Sequence, residues 1–129
     1  MPASQSYSNK TAGQRNTISD PFRQDGSTYR TETVATLDAN GRVVSSEIRL
    51  QRAVQGRGST PDYPDVAVSR DGGKTWVTPG SGRGTNENQP ITTANSSLSA
   101  SEIRSLQPNG QLNKAALKSG TAEIGRAHV

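Results

Sequence analysis

The sequence predicts a mainly β fold: a small antiparallel β-hairpin domain with an extended polar N-terminal arm and two short C-terminal helices. Three observations support this. An Asn-Gly pair joins two runs of alternating apolar and polar residues, a glycine-containing turn joins two further short apolar runs, and a helix-capping pattern precedes the C-terminal segment. A chain of 129 residues has room for one domain.

Composition limits both the size of the core and the classes of function. Hydrophobic residues make up 29% of the chain, which indicates one modest core, while a net charge of +4 is too small for the full signature of disorder. The chain has no cysteine, so disulfides and thiolate metal sites are excluded, and we expect synthesis in a reducing cytoplasm. Neither a signal peptide nor a membrane-spanning apolar run is recognisable, so we expect no secretion by a signal peptide and no membrane partner.

The chain divides by composition into four segments. Residues 1–26 predict an extended N-terminal arm, 27–80 a β-hairpin domain, 81–98 a polar linker and 99–129 a short helical C-terminal segment. Burial in residues 1–26 and 80–97 cannot offset the cost of ordering them, because these stretches contain few apolar side chains. We therefore expect contacts with other chains, rather than with this domain, to order them.

The first hairpin is predicted between Tyr29 and Leu50. Asn40 and Gly41 form the centre of its turn, where each is expected to adopt a positive φ angle. This placement pairs Leu37 with Val44, Thr33 with Ile48, Thr31 with Leu50, and Glu32 with Arg49. It predicts a buried face made of Leu37, Val44, Ile48 and Leu50, and an ion pair on the other face.

A second strand–turn–strand unit is predicted over residues 65–77. The Asp71 carboxylate is expected to accept hydrogen bonds from backbone N–H groups of the turn and from the hydroxyl of Ser69 or Thr75. One of the two glycines that follow Asp71 is expected to supply a positive φ angle. Trp76 is expected to pack its ring against the hairpin.

This unit resembles the Asp-box of sialidases and related β-propellers. The pattern Ser-x-Asp-x-Gly-x-Thr-Trp is matched at Ser69, Asp71, Gly73, Thr75 and Trp76. In the sialidase family these boxes are structural turns set away from the sugar site, so the resemblance implies hairpin geometry and no catalytic role. A propeller needs at least four blades of four strands, and the family's catalytic residues cannot be mapped onto this sequence. Asp-boxes also occur on other β scaffolds, including viral tail and surface proteins.

Two short helices are predicted near the C-terminus. Ser99 and Glu102 form a capping box that opens a helix reaching about Leu106, and the Pro108-Asn109-Gly110 sequence stops it. A second helix is predicted over residues 111–118, with Gly120 as its C-cap. Their apolar side chains are expected to face the sheet or a neighbouring subunit; these are Ile103, Leu106, Leu112 and Leu117.

The remaining candidates for chemistry have simpler explanations. His128 has no nearby partner in the sequence that would make it a general base. Asp62 and Asp65 could hold a divalent cation or act as acid and base, but a rigid turn explains them more directly. The run from Gly80 to Gly84 lacks the flanking strand and helix of a phosphate-binding loop. We therefore predict no catalytic, cofactor-binding or metal-binding residues and no enzymatic activity.

The sequence favours a role in assembly. The expected partners are other protein subunits of the same particle, in a homo-oligomer and a hetero-complex, and the first candidate is a bacteriophage virion, as a tail, neck or capsid-accessory protein. The alternative is a carbohydrate-binding or adhesion module that uses the Asp-box hairpin as a scaffold. Nucleic-acid binding by a helix-turn-helix that carries Arg104, Lys114 and Lys118 is a third, less favoured interpretation, because the second helix is expected to be only about two turns long and no cluster of base-reading side chains faces one way.

Overall fold

A computed structural model describes residues 13–56, 58–79 and 88–128 of the chain, with side chains up to residue 119. The described residues form an open antiparallel sheet of five strands, followed by two helices. The strands are β1 (Gly13–Ile18), β2 (Phe22–Gln24), β3 (Ser27–Leu37), β4 (Val43–Arg52) and β5 (Asp65–Ser69). The helices are α1 (Ala100–Ser105) and α2 (Gln111–His128). The predicted mainly β class is confirmed.

Strands β1 and β2 share one edge of β3 and give the sheet the order β1–β3–β4–β5. A two-residue turn joins β2 to β3, and both of its residues, Asp25 and Gly26, have positive φ angles of 54° and 86°. These strands lie within the predicted N-terminal arm. The prediction that other chains order this arm is wrong for residues 13–18 and 22–24, because they pair with β3; residues 1–12 lie outside the described part.

The β3–β4 hairpin has the predicted register over most of its length. Thr33 lies opposite Ile48, Thr31 opposite Leu50, and Glu32 opposite Arg49. Near the turn the prediction is wrong: Leu37 pairs with Val43, and the ladder shifts by one residue between Thr36 and Leu37. This bulge leaves Val44 unpaired and 58% exposed, whereas Ile48 and Leu50 are buried as predicted.

The cause of the shift lies in the turn. Gly41 has a φ angle of +83°, but Asn40 is not among the residues with positive φ. The Gly41 N–H donates to the Asp38 carbonyl at 3.0 Å, and the Asp38 N–H donates to the Arg42 carbonyl at 2.9 Å. Ala39, Asn40 and Gly41 therefore form a three-residue loop with glycine in the left-handed position, not the predicted two-residue turn.

One face of the sheet forms the core with the two helices. The buried cluster takes Tyr29, Ile48, Leu50 and Ala67 from the strands, Trp76 from the following turn, and Leu106, Leu112 and Ala116 from the helical segment. Ile103 and Leu117 are half-buried against it, so the predicted packing of the helical apolar residues is confirmed. The opposite face of the sheet carries polar and charged side chains, among them Glu32 and Arg49, together with two buried valines, Val34 and Val68.

The helix starts are as predicted, but the end of α2 is not. The Glu102 N–H donates to Ser99 Oγ and the Ser99 N–H donates to Glu102 Oε1, which completes the capping box of α1. Helix α2 continues through Gly120 to His128, so Gly120 is not a C-cap. A glycine costs a helix only about 1 kcal/mol relative to alanine, which the favourable residues on either side can offset.

The predicted linker has two different parts. Residues 88–91 pair with the segment that follows Trp76: the Thr78 N–H donates to the Gln89 carbonyl at 2.9 Å, and Val77 forms a bridge with Pro90. These residues therefore extend the second strand–turn–strand unit. The run from Gly80 to Gly84 lies outside the described residues.

Candidate functional site

The turn after β5 is organised by the side chain of Asp71. Its Oδ1 accepts hydrogen bonds from the Ser69 hydroxyl and from the Thr75 N–H, both at 2.9 Å, and its Oδ2 accepts one from the Thr75 hydroxyl at 2.6 Å. The Ser69 hydroxyl oxygen in turn accepts the Gly73 N–H at 2.8 Å. Four of the five residues of the matched motif therefore form one local hydrogen-bonded unit, closed at its base by reciprocal backbone bonds between Val68 and Val77.

These hydrogen bonds affect the ionisation of Asp71. The Thr75 hydroxyl and then the Thr75 N–H stabilise the carboxylate most strongly, with a further contribution from Ser69, and they hold the pKa of Asp71 below its ordinary value. The carboxylate is therefore ionised at neutral pH. Both of its oxygens are engaged in the turn, although the residue itself is exposed.

The turn is docked against helix α2 at Gly73. This residue is buried and has a φ angle of +91°. A Cβ atom at this position would lie 2.7 Å from Cδ2 of Leu117 and 3.0 Å from Oδ1 of Asn113. Gly73 is therefore required both by the backbone conformation and by the close approach of the helix. Gly72 also has a positive φ, of 73°, but nothing lies near its missing side chain.

Trp76 anchors the same turn through its indole. The ring is 7% exposed, and its Nε1–H donates to Oδ1 of Asn113 at 2.9 Å. Asn113 is 1% exposed, and its amide donates to the Pro108 carbonyl at 3.3 Å. The side-chain oxygen of Asn113 thus satisfies the only indole N–H of the chain inside the core.

Asn113 was not predicted from the sequence. The sequence feature that could have identified it is its position on the apolar stripe of a predicted helix. It lies beside Leu112 and one turn before Ala116 and Leu117. An asparagine on such a stripe needs a buried partner, because an unsatisfied polar group in a core costs about 1–3 kcal/mol. Trp76 supplies that partner with the one donor of its side chain.

A second polar cluster joins the sheet to the start of α1. Oε2 of Glu102 accepts a hydrogen bond from the Tyr29 hydroxyl at 2.5 Å and one from Nη1 of Arg52 at 2.7 Å. Nη2 of Arg52 donates to Ser97 Oγ at 3.0 Å. Glu102, which also belongs to the capping box, therefore connects β3, β4 and the beginning of the helix.

The groups in this cluster shift one another's ionisation. Burial opposes the charge on Glu102, but the hydrogen bonds from Tyr29, the Ser99 N–H and Arg52 outweigh it and keep the pKa of Glu102 below its ordinary value. Burial, together with the bond to the Glu102 carboxylate, raises the pKa of Tyr29 to about 12. Each charged group in the cluster has an ionic or hydrogen-bonding partner, so the cluster holds the sheet and the start of α1 together.

On the face of the sheet opposite the helices, Glu32 is the centre of a polar network. It accepts hydrogen bonds from Asn16 Nδ2 at 2.8 Å and from Gln51 Nε2 at 3.2 Å. Gln51 Nε2 also donates to Asp65 at 2.8 Å. The predicted pair of Glu32 with Arg49 is present at an N···O distance of 3.9 Å, which is long for a hydrogen bond.

The closer carboxylate partner of Arg49 is Glu47. Arg49 Nε lies 2.5 Å from one oxygen of Glu47, and Arg70 Nε lies 3.0 Å from the other. Arg70 also donates to the side-chain oxygen of Asn88. Both arginines therefore contact the same carboxylate, one at each of its oxygens.

A cleft opens beside the Asp71 turn. It has a volume of about 460 Å³ and is lined by Arg70, Asp71, Thr75, Val77 and Asn88. A smaller groove of about 190 Å³ also borders the turn, and it is lined by Trp76, Ile91 and the two apolar residues of α1 and its C-cap. Val77 is the one apolar residue that lines the cleft, whereas most of the residues that line the groove are apolar.

The outer edge of β1 has no strand partner in the part of the chain that the structure describes. This strand lies at one end of the sheet order, and no described residue pairs with its outer side. Four of its six residues are exposed, and Ile18 keeps 54% of its surface accessible. At the opposite end, β5 is partly covered by the bridge between Val68 and Val77.

Other predicted candidates are not brought together as a site. Asp65 accepts the bond from Gln51, whereas Asp62 is exposed and pairs through its backbone with Val54. Among the described residues no cluster of three or more potential metal ligands occurs, and no helix is long and apolar enough to cross a membrane. The side chain of His128 lies outside the described part.

Comparisons with known proteins add no relative. The sequence matches no protein-family model, and searches of curated proteins and of solved structures found no significant match. The likeness to Asp-box proteins therefore rests on the five motif residues.

Proposed function

We propose that this protein is a non-catalytic structural component of a multi-subunit particle. The first candidate is a bacteriophage virion, in which the chain would serve as a tail, neck or capsid-accessory protein assembled in the host cytoplasm. In this role the Asp71 turn and helix α2 form a rigid scaffold, and the sheet presents an edge to neighbouring subunits.

The observation that carries the proposal is the outer edge of β1, which pairs with none of the described residues. An edge strand presents unpaired backbone donors and acceptors, and proteins that remain monomeric usually protect such edges. Adding a strand from a partner is a common way in which subunits join, because main-chain hydrogen bonds provide affinity and side chains provide selectivity.

The use of the polar side chains supports the same proposal. Asp71 is engaged by Ser69 and Thr75, and Glu102 by Tyr29 and Arg52. Among the described residues, these are the two carboxylates whose pKa values are lowered, and each already has a structural partner. The lowered pKa values therefore accompany hydrogen bonds that hold the turn and join the sheet to α1, which supports a structural role.

The test is whether the chain is present in particles. Virus particles from the strain that encodes the chain are purified on a density gradient and analysed by quantitative mass spectrometry. We expect the chain in a fixed molar ratio to the major structural proteins, unchanged by a high-salt wash. Finding it only in the soluble fraction, with particles of normal composition and infectivity after deletion of its gene, would contradict the proposal.

The cleft beside Asp71 favours a second candidate, a carbohydrate-binding or adhesion module. The cleft is lined by the guanidinium, hydroxyl and amide groups of Arg70, Thr75 and Asn88 together with Val77, and such groups can hydrogen-bond sugar hydroxyls. A glycan array distinguishes this role. Specific binding that Asn88→Ala abolishes would favour the module, and binding to no glycan by the folded chain would remove this candidate.

A further inference from the structure

Three exposed lysines lie next to the point at which the Asp71 turn docks against α2. Gly73 approaches Asn113 and Leu117 there, and each of these three residues is followed directly by a lysine. These lysines, which we call the lysine patch, are Lys74, Lys114 and Lys118. They are all the lysines of the described part, and none of them makes an ion pair with a described residue.

Contacts within the described part of the fold do not account for the lysine patch. Lys114 and Lys118 lie one turn apart on the exposed side of α2, and like charges at this spacing disfavour a helix. Lys114 is the fourth residue of α2, near the positive end of the helix dipole, and the first turn has no acidic residue to balance it. Asp71, the carboxylate nearest to Lys74 in the sequence, accepts hydrogen bonds from within the turn at both of its oxygens. The positive charge of the lysine patch is therefore available to a partner.

The apolar groove beside the turn adjoins the lysine patch, because Lys74 is one of the residues that line it. None of the lining residues is acidic, and five of them are apolar: Trp76, Pro90, Ile91, Ile103 and Leu106. The groove has a volume of about 190 Å³. Sites for drug-sized ligands occupy roughly 300–1,000 Å³, so this groove has the size for a single apolar side chain. The surface thus combines an apolar recess with unpaired cations.

We infer that this surface binds an acidic segment of another protein, which places one apolar side chain in the groove and carboxylates against the lysine patch. This inference rests on the proposed function, because it states the chemistry of one partner subunit. Complementary charges speed the association of two proteins and select the correct partner. Nucleic acid fits this surface less well, because proteins that bind single strands stack the bases on exposed aromatic rings, and Trp76 is only 7% exposed.

Peptide titration of the isotope-labelled full chain, followed by amide chemical shifts, tests this inference. The probes are a glutamate-rich peptide with one central leucine and the same peptide with serine in place of the leucine. At low salt we expect the leucine peptide to bind with a Kd below about 1 mM. The serine peptide should bind about tenfold more weakly, because it has no apolar side chain to bury in the groove. Both affinities should fall as salt is added, since the lysine patch is exposed.

Charge reversal at exposed positions locates the binding surface. Lys74→Glu and Lys118→Glu should each weaken binding of the leucine peptide about threefold to tenfold at low salt, because each replaces an attraction with a repulsion. Arg42→Glu is the matched control and should leave the affinity unchanged. It makes the same change in net charge in the loop of the β3–β4 hairpin, where Arg42 is exposed and has no ion pair with a described residue. Gln107→Glu, at an exposed residue that lines the groove, should also weaken binding.

Three results would overturn the inference: no binding of the leucine peptide at about 1 mM, equal affinities for the two peptides, or equal losses of affinity in Arg42→Glu and Lys118→Glu. Binding of a DNA duplex, or self-association of the chain, that Lys118→Glu abolishes while neither peptide binds would also overturn it. A chain that is found in particles but binds neither peptide would leave the proposed function standing. A chain that binds the leucine peptide as expected but is absent from particles would retain the binding surface and refute the proposed function.

Discussion

The indole N–H of Trp76 donates to the side-chain oxygen of Asn113, and this bond connects the Asp71 turn to helix α2 inside the core. The two residues are 37 positions apart in the sequence. Their contact fixes the orientation of the helix relative to the sheet, and Gly73 makes the close approach sterically feasible.

Removing either member of this pair should destabilise the fold. Trp76→Ala should lower the free energy of unfolding by about 3–5 kcal/mol, through the loss of a large buried side chain. Asn113→Ala should lower it by about 1–3 kcal/mol, because the indole N–H is then buried without an acceptor. Urea unfolding measures both effects, by circular dichroism for the tryptophan variant and by fluorescence of the single tryptophan for the other. Full stability of Asn113→Ala would contradict a structural role for the bond.

The two glycines of the turn should respond differently to substitution. Gly73→Ala should cost more than Gly72→Ala, by about 1–3 kcal/mol in the free energy of unfolding, since both carry backbone strain but only the Cβ at position 73 meets the Leu117 side chain. Because both glycines have positive φ angles, the difference between the two losses of stability removes most of the contribution of backbone strain. Equal losses of stability in the two variants would show that the helix does not approach the turn as closely as described.

The stability supplied by Asp71 should depend on pH in a defined direction. The folded state lowers the pKa of this carboxyl, so its contribution is complete above the ordinary pKa near 4 and is lost as the pH falls through the lowered value. Asp71→Asn should be less stable than the wild type by about 1–2 kcal/mol at neutral pH, because hydrogen bonds to the exposed carboxylate are lost. The difference in the free energy of unfolding between the wild type and Asp71→Asn should become smaller as the pH is lowered from neutral to acid. A gap that widens in acid would contradict the assignment.

Tyr29 should make the fold sensitive to alkali. Its pKa is raised to about 12, so the stability from the neutral phenol is complete below pH 10, the ordinary value, and declines as the pH rises toward 12. Between the ordinary and the raised pKa of Tyr29, the free energy of unfolding should fall faster with rising pH for the wild type than for Tyr29→Phe. Identical slopes for the wild type and Tyr29→Phe would argue against burial of the Tyr29 hydroxyl beside Glu102.

The bulge in the β3–β4 hairpin predicts that alanine substitutions of two β-branched residues of β4, Val44 and Ile48, have unequal effects on stability. Ile48→Ala should cost about 2–5 kcal/mol, as expected of a buried isoleucine, whereas Val44→Ala should change stability by less than about 0.5 kcal/mol because Val44 is exposed. Thermal unfolding of the two variants measures both effects. A large loss at Val44 would indicate that the ladder continues without the shift.

Local patterns predicted the hairpins and the capping box because each depends on residues close together in the sequence. The Asp71 turn needs only Ser69 to Thr75, and the capping box needs only Ser99 and Glu102. The Asp25-Gly26 pair is also a local signal, because Asp-Gly favours a two-residue hairpin turn. Recognising this turn would have placed β2 on the sheet. The mistaken role of Asn40 shows that an Asn-Gly pair is compatible with more than one loop length.

Long-range pairing could not be derived in the same way. Nothing local indicates that residues 13–18 pair with β3, since this strand is polar and gains its stability from the ladder rather than from burial. The contact of Trp76 with Asn113 depends on how α2 crosses the sheet, which periodicity does not determine. The continuation of α2 past Gly120 likewise reflects a balance along the whole helix.

Hydrogen exchange at single amides tests most directly whether the β1 edge joins this chain to its neighbours. The exchange rates of β1 amides are compared between the isolated chain in dilute solution and the chain in purified particles. We expect the amides of Gln14, Asn16 and Ile18, which face outward, to exchange rapidly in isolation and to become protected on assembly, while those of Arg15 and Thr17 are protected in both states. Rapid exchange of all three outward amides within the particle would contradict the account.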